Sequence, residues 1–235
     1  MNNSVPDSKQ FYTQPVRDGK SIIKLWNEGA NVGSAITPSA YDSHYRSEVV
    51  RILKSITGNN RRAMYLSVGS GAGVTEAALL KDGFVNITCL DIIEEAIELA
   101  RQKGLKAFLA SGTDEFVIQT ASQDVVYMDG SLGHMASSFE PPFVQPFESA
   151  LREASRVLKL GGMIVISDDC PANGDYEINP RVKLLYVSDR IIEEGLKEAG
   201  FKEANIQRIP YQRPDVGTVL RRVVIAKNSS ISSLD

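Results

Sequence analysis

Met64-Tyr65-Leu66-Ser67-Val68-Gly69-Ser70-Gly71-Ala72-Gly73 is the stretch on which the fold turns. An apolar run enters three glycines at alternate positions and passes into helix-forming residues. About twenty residues further on, Asp91 closes a second apolar run, as an acid does after the second strand of a nucleotide-binding unit. That order of parts suits a nucleoside-containing ligand, because glycines admit close backbone approach and the acid accepts hydrogen bonds from ribose hydroxyls. The spacing is G-x-G-x-G rather than the G-x-G-x-x-G of dinucleotide binders, which weakens a reading as an NAD-dependent oxidoreductase.

Outward from this stretch, strands and helices alternate. Strands are expected at about 63–68, 85–90, 106–110, 124–128 and 163–166, with helices over 73–82, 92–103 and 144–159. Gly83 and Gly104 end the first two helices, and Gly161-Gly162 is read as the break that ends the third. Short, wholly apolar strands such as Val125-Val126-Tyr127-Met128 fit a parallel sheet covered on both faces. A helix over 189–199 then leads to two strand-like runs, about 202–210 and 218–227, joined by a short turn at Pro214–Gly217, so these two pair antiparallel. The expected fold class is α/β: a doubly wound seven-stranded sheet of five parallel strands plus a C-terminal antiparallel hairpin, helices on both faces, and an N-terminal helical lid.

Upstream, residues 1–20 are polar and aperiodic and read as an arm or a flap, with Phe11 and Tyr12 adding aromatic surface. Trp26 lies on a short helix. Ser39 is read as the N-cap of a helix whose stripe runs through 41, 45, 49, 52, 53 and 56. The chain thus divides into a 1–37 arm or lid, a 38–227 binding and catalytic domain, and a 228–235 disordered tail.

The 235 residues carry a net charge of −3, with 43% hydrophobic and 23% charged residues, which is ordinary for a globular chain. Arg61-Arg62 and Arg221-Arg222 are the only dense basic pairs and read as solvated strand ends, so no nucleic-acid partner is expected. Two cysteines, no apolar run of membrane-spanning length and no signal-peptide pattern point to a cytoplasmic protein with no membrane partner.

The architecture and motifs together resemble the class I S-adenosylmethionine-dependent methyltransferases over roughly residues 38–227, in their small-molecule branch. The resemblance implies S-adenosylmethionine as cofactor. It places Gly69, Ser70, Gly71 and Gly73 beneath the methionine and ribose moieties, Asp91 on the ribose hydroxyls and Ile92 on adenine. Gly112, Thr113 and Asp114 fall at the adenine edge. Arg156–Ile166 is similar to the family's helix, Gly-Gly and strand signature. Ser67 stands where the family often has an acid, so a carboxylate contact to the cofactor's ammonium is in doubt there. Tyr41 and Tyr45 look like the family's N-terminal tyrosine lid.

Strand ends in open α/β sheets face the ligand, and here they carry Ser67, Asp91, Ala110, Asp129 and Asp168-Asp169. His134, a few residues past the fourth strand, is the candidate general base, since an unperturbed imidazole titrates near pH ~6.5. Asp129 is a candidate acceptor from the cofactor's amine or from the methyl acceptor, and Tyr41 completes the catalytic set. Ser137–Pro142 is read as a pocket rim. Three alternatives stay open: consumption of the methionine moiety with release of methylthioadenosine, a Mg²⁺-dependent O-methyltransferase using Asp129, Asp168 and Asp169, and a non-catalytic cofactor-binding protein. No metal is expected in the preferred reading.

Overall fold

The computed structural model describes residues 8–30, 37–179, 182–213 and 217–229. The first seven residues of the expected arm, the 31–36 stretch, the tip of the terminal hairpin and the tail beyond Ser229 lie outside the described residues.

In chain order the elements begin with α1 (Ser8–Thr13), β1 (Pro15–Arg17), β2 (Lys20–Ser21), α2 (Ile22–Asn27), α3 (Pro38–Tyr41) and α4 (Ser43–Ser55). The alternating part follows: β3 (Tyr65–Val68), α5 (Val74–Lys81), β4 (Ile87–Asp91), α6 (Glu94–Gln102), β5 (Lys106–Leu109) and β6 (Gln123–Asp129). A 3-10 turn at Leu132–Met135 precedes α7 (Glu148–Val157), β7 (Leu158–Asp168), β8 (Tyr176–Ile178) and β9 (Leu185–Val187). The chain closes with α8 (Asp189–Glu198), β10 (Phe201–Arg213) and β11 (Gly217–Asn228).

Seven strands form one sheet in the order β10-β11-β7-β6-β3-β4-β5. The five expected strands are parallel to one another, with Tyr65 of β3 opposite Ile87 on one side and Val125 on the other. β11 runs antiparallel to both β7 and β10, so β10, at the edge, points the same way as the parallel five. Side chains alternate across each strand. Leu66 and Val68 face one core layer with α7 and α8, while Tyr65 faces another with α4, α5 and α6.

Three expectations about elements change. The helix expected over 144–159 begins only at Glu148 and ends at Val157. Gly161-Gly162 lies inside β7, where Gln123 pairs with Leu158 and Val125 with Met163. Five residues of β7 therefore span two of β6, and Gly161, at φ +80°, permits the excursion. Second, Ser39 is not the cap of the long helix. Pro38 opens the separate α3, and Asp42 caps α4 by accepting from the His44 and Tyr45 amides, each at 3.0 Å. Third, the span 169–187, where no element is expected, contains the β8–β9 hairpin.

The N-terminal part is built as well. α1, the β1–β2 hairpin and α2 bury Tyr12, Ile22, Ile23 and Trp26 in a third apolar cluster with Ala72, Ile93, Ala96 and Leu184. This cluster stands over the glycine turn and the start of α6.

Candidate active site

A cleft with an open volume of about 1220 Å³ lies across the carboxyl ends of the parallel strands, under the N-terminal segment. Its first wall is the glycine turn. Gly69 has φ +70°, and a Cβ there would sit 2.3 Å from Ser131 Cβ, so the turn is pressed onto the segment that follows β6. Gly71 has φ +54° and no atom of the described residues within 4 Å of a Cβ position. Its bare backbone faces open space, which is the property a closely bound ligand requires. Asp91 is buried beside this turn and accepts from the Gly71 amide at 2.8 Å and the Ile93 amide at 2.9 Å. Burial raises its pKa, and those backbone donors restrain the rise.

Ser67, next to last in β3, donates to Glu76 Oε1 at 2.6 Å. Glu76 sits in the first turn of α5, is buried and lines the cleft. Burial pushes its carboxyl up to about 7, with the Ser67 hydroxyl acting against the shift. Sequence reasoning missed Glu76. The available signal was an acid in an otherwise apolar helix start, directly after a turn whose usual strand-end acid is replaced by serine.

The opposite wall holds Asp129, at the end of β6. Its Oδ2 accepts a short hydrogen bond from Ser39 of α3, and its Oδ1 has no hydrogen-bond partner among the described residues. The Tyr127 hydroxyl and Trp26 Nε1, both on buried residues lining the same cleft, are also without hydrogen-bond partners among the described residues. His134 lines the cleft from the 3-10 turn. Its Nδ1 is 2.7 Å from the Lys183 carbonyl, which can only accept, so Nδ1 carries the proton. Nε2 then accepts from the Tyr12 hydroxyl at 3.0 Å. Burial lowers the pKa of His134 to about 4 and raises that of Tyr12, so no proton passes between them near neutrality.

The remaining sequence candidates are distributed unevenly. Ser70, Ile92, Gly112 and Thr113 line the cleft, with Ile92 exposed and Gly112 packed beneath Met135. Gly73 is outside the lining, and a Cβ there would lie 2.5 Å from Leu105 Cδ1, so its glycine serves helix packing. Asp114 is exposed and away from the cleft, as is the 137–142 segment, whose Phe139 packs on the core. Tyr41 and Tyr45 lie on different helices, and neither is among the lining residues. Tyr45 is fully buried, hydrogen-bonded to Ser167 and edge-on to Tyr211.

Arg221 and Arg222, read from sequence as solvated, are each 1% exposed. Arg221 Nη1 is 3.1 Å from Asp169 Oδ2 and Nη2 is 3.6 Å from Asp129 Oδ1. A protein cation thus already sits between two of the carboxylates considered for Mg²⁺. Arg222 bonds the Val187 carbonyl and pairs with Asp189.

The walls fit an extended adenosyl amino acid: open backbone at Gly71, a buried acid at Asp91 for sugar hydroxyls, and unpartnered polar atoms further along. A Rossmann-like sheet with a terminal antiparallel hairpin and a glycine turn of this kind defines a class I S-adenosylmethionine-dependent methyltransferase. Residues 66–166 match the family described as a methyltransferase domain. Over 96% of its length the chain is 32% identical to a tabtoxin biosynthesis enzyme of Pseudomonas amygdali pv. tabaci, covering 90% of that protein. It is 28% identical to a sarcosine/dimethylglycine N-methyltransferase of Halorhodospira halochloris, over 91% of this chain and 78% of the relative. The fold matches that of a Burkholderia thailandensis 1,6-didemethyltoxoflavin-N1-methyltransferase, crystallised with 1,6-didemethyltoxoflavin and S-adenosylhomocysteine, with TM-score 0.64 at 22% identity, covering 89% and 86% of the two chains. The chain belongs to the class I S-adenosylmethionine-dependent methyltransferases, with S-adenosylmethionine as its cofactor. No helix among the described residues is long and apolar enough to cross a membrane.

Proposed function

We propose that the acceptor is a nitrogen of a small, partly planar molecule held between Asp129 and the aromatic wall of Tyr12 and Trp26. The observation that carries this reading is Asp129 in the cleft wall, whose Oδ1 has no hydrogen-bond donor among the described residues and only the Arg221 guanidinium, at 3.6 Å, beside it. An acceptor N–H supplies one, and the same oxygen receives the proton that nitrogen sheds on methylation. Two of the similar proteins named above are N-methyltransferases, which supports nitrogen over oxygen.

When bound, S-adenosylmethionine supplies an activated methyl group. The chain's own work is positioning and exclusion of water. Asp91 and the glycine turn hold the sugar, while Ile92, Gly112 and Thr113 border the base. Ser39 orients Asp129 through its hydroxyl. The N-terminal segment acts as the lid, with Tyr12 edge-on to His134 and tilted on Trp26, at centroid distances of 5.6 Å in both cases. His134 anchors that lid through the Tyr12 hydroxyl. With both described cysteines free, a cytoplasmic location is part of this reading.

The test is a panel of small secondary amines and N–H heterocycles, each paired with an oxygen analogue, incubated with S-adenosylmethionine and analysed by mass spectrometry. The expected products are S-adenosylhomocysteine and an N-methylated acceptor. Methylation confined to the oxygen analogues, or release of methylthioadenosine, would overturn the assignment.

A further inference from the structure

We propose that Glu76 is the carboxylate that binds the α-ammonium of the cofactor's methionine moiety, a role the strand end cannot fill because it bears Ser67. The proposal rests on the assignment of the cleft to S-adenosylmethionine and concerns one end of that ligand.

The sheet order sets out the ligand's parts. From the edge inwards, the ends of β5, β4, β3 and β6 contribute Gly112 and Thr113, then Asp91, then Ser67 with Glu76, then Asp129. With base and sugar over β5 and β4, the amino-acid end of an extended adenosyl ligand comes to β3. There Ser67 offers a hydroxyl and Glu76 the carboxylate.

Among the described residues Glu76 has no ion-pair partner, although it is only 3% exposed. The cation whose field it feels most, Lys103, donates instead to Asn27 and to the Ala72 carbonyl at 2.8 Å. A buried carboxylate with one hydroxyl for company is costly unless a cation arrives. Burial holds the free carboxyl up to about 7, and an ammonium against it reverses that shift. The Ser67 hydroxyl fixes the Oε1 direction, so the group is positioned before the ligand enters.

Calorimetry with two ligands tests the assignment. S-adenosylhomocysteine carries the ammonium, whereas 5′-methylthioadenosine has the same base, sugar and sulfur and lacks the amino-acid end. Glu76→Gln, close in shape, is expected to weaken S-adenosylhomocysteine by roughly 30-fold or more, the usual effect of removing one partner of a buried charge pair. Methylthioadenosine affinity should stay within about twofold of wild type. The double variant Ser67→Asp/Glu76→Ser, which moves the acid to the strand end, should recover most of the lost affinity. Equal weakening of both ligands would reduce Glu76 to a structural role, and unchanged S-adenosylhomocysteine binding would remove it from the site. If the acceptor KM alone rises, the carboxylate serves the substrate amine and the proposal fails. Absence of S-adenosylhomocysteine binding by the wild-type protein is a separate result, which would strike the cofactor assignment itself.

Discussion

Arg221 Nη1 lies 3.1 Å from Asp169 Oδ2, with the arginine side chain 1% exposed on β11 and the aspartate just past the end of β7. The same guanidinium reaches Asp129 and accepts no solvent screening, so its removal strands two carboxylates in a poorly hydrated pocket. Arg221→Ala should cost about 3–5 kcal/mol in urea unfolding, the range for breaking a buried ion pair from one side. It should also misplace Asp129, so that residual folded enzyme shows a raised acceptor KM. Because a protein cation already bridges these acids, turnover should persist in excess EDTA. Loss of activity that Mg²⁺ restores would contradict this account.

The first two glycines of the turn should fail differently. Gly69→Ala drives a methyl group into Ser131, with a Cβ separation of 2.3 Å, so the loss appears first as stability. Gly71→Ala meets nothing within 4 Å and costs only its left-handed backbone. That strain is about 1–2 kcal/mol. Its methyl group points where the ligand must approach, so cofactor affinity should fall while the melting temperature moves by a few degrees. Thermal melts with and without S-adenosylhomocysteine separate the two effects.

The parallel core was legible because its strands are continuous apolar runs bracketed by glycines, and period and punctuation agree there. The terminal hairpin was legible from the short turn at Pro214–Gly217 between two strand-like runs, although β10 itself is mostly polar and exposed. What was not legible depended on long-range contact. Arg221-Arg222 is locally a basic pair, and only the approach of Asp129, Asp169 and Asp189 makes its burial tolerable. Ser39 has a good capping side chain, yet Pro38 starts a helix one residue earlier and Asp42 captures the later amides. Gly161-Gly162 breaks a helix and loops out a strand equally well, and pairing with β6 decided between them. In the site, the glycine turn and Asp91 followed from a spacing rule. Glu76 and Tyr12 did not, because their meaning comes from which cleft wall they reach.

Glu76 and Asp168 together set a pH dependence of stability. Their carboxyls are pushed by burial to about 7 from ordinary values of 4.5 and 3.8. The folded state therefore binds protons more tightly than the unfolded chain, and stability present at low pH is lost as pH rises through this window. From pH 6.5 to 8 Glu76 alone should remove roughly 0.8 kcal/mol, and His134, whose ordinary value of 6.5 leaves the unfolded imidazole half-protonated at the lower pH, returns about 0.4 kcal/mol of it. His134 acts in the other direction, since a pKa lowered to about 4 withdraws stability as pH falls through 6.5. Urea unfolding at pH 6.5 and 8 should show wild type losing stability and Glu76→Gln losing distinctly less. Parallel slopes would mean that the glutamate is already ionised in the folded protein.

The Tyr12–His134 hydrogen bond of 3.0 Å joins α1 to the turn after β6, and its direction separates two roles for the imidazole. As an anchor, His134 matters only through the Tyr12 hydroxyl. Tyr12→Phe and His134→Ala should then each lower kcat/KM by about 5–30-fold, the equivalent of one hydrogen bond of about 1–2 kcal/mol. The double variant should be no worse than the weaker single, because both delete the same link. As a base, His134 would lose far more than Tyr12 on substitution and would impose an inflection near its ordinary value. An imidazole lowered to about 4 by burial and held at Nδ1 by the Lys183 carbonyl stays neutral from pH 6 to 9. The rate profile should therefore carry no step from His134 in that range, and an inflection abolished by His134→Ala but kept by Tyr12→Phe would assign it the proton instead of Asp129.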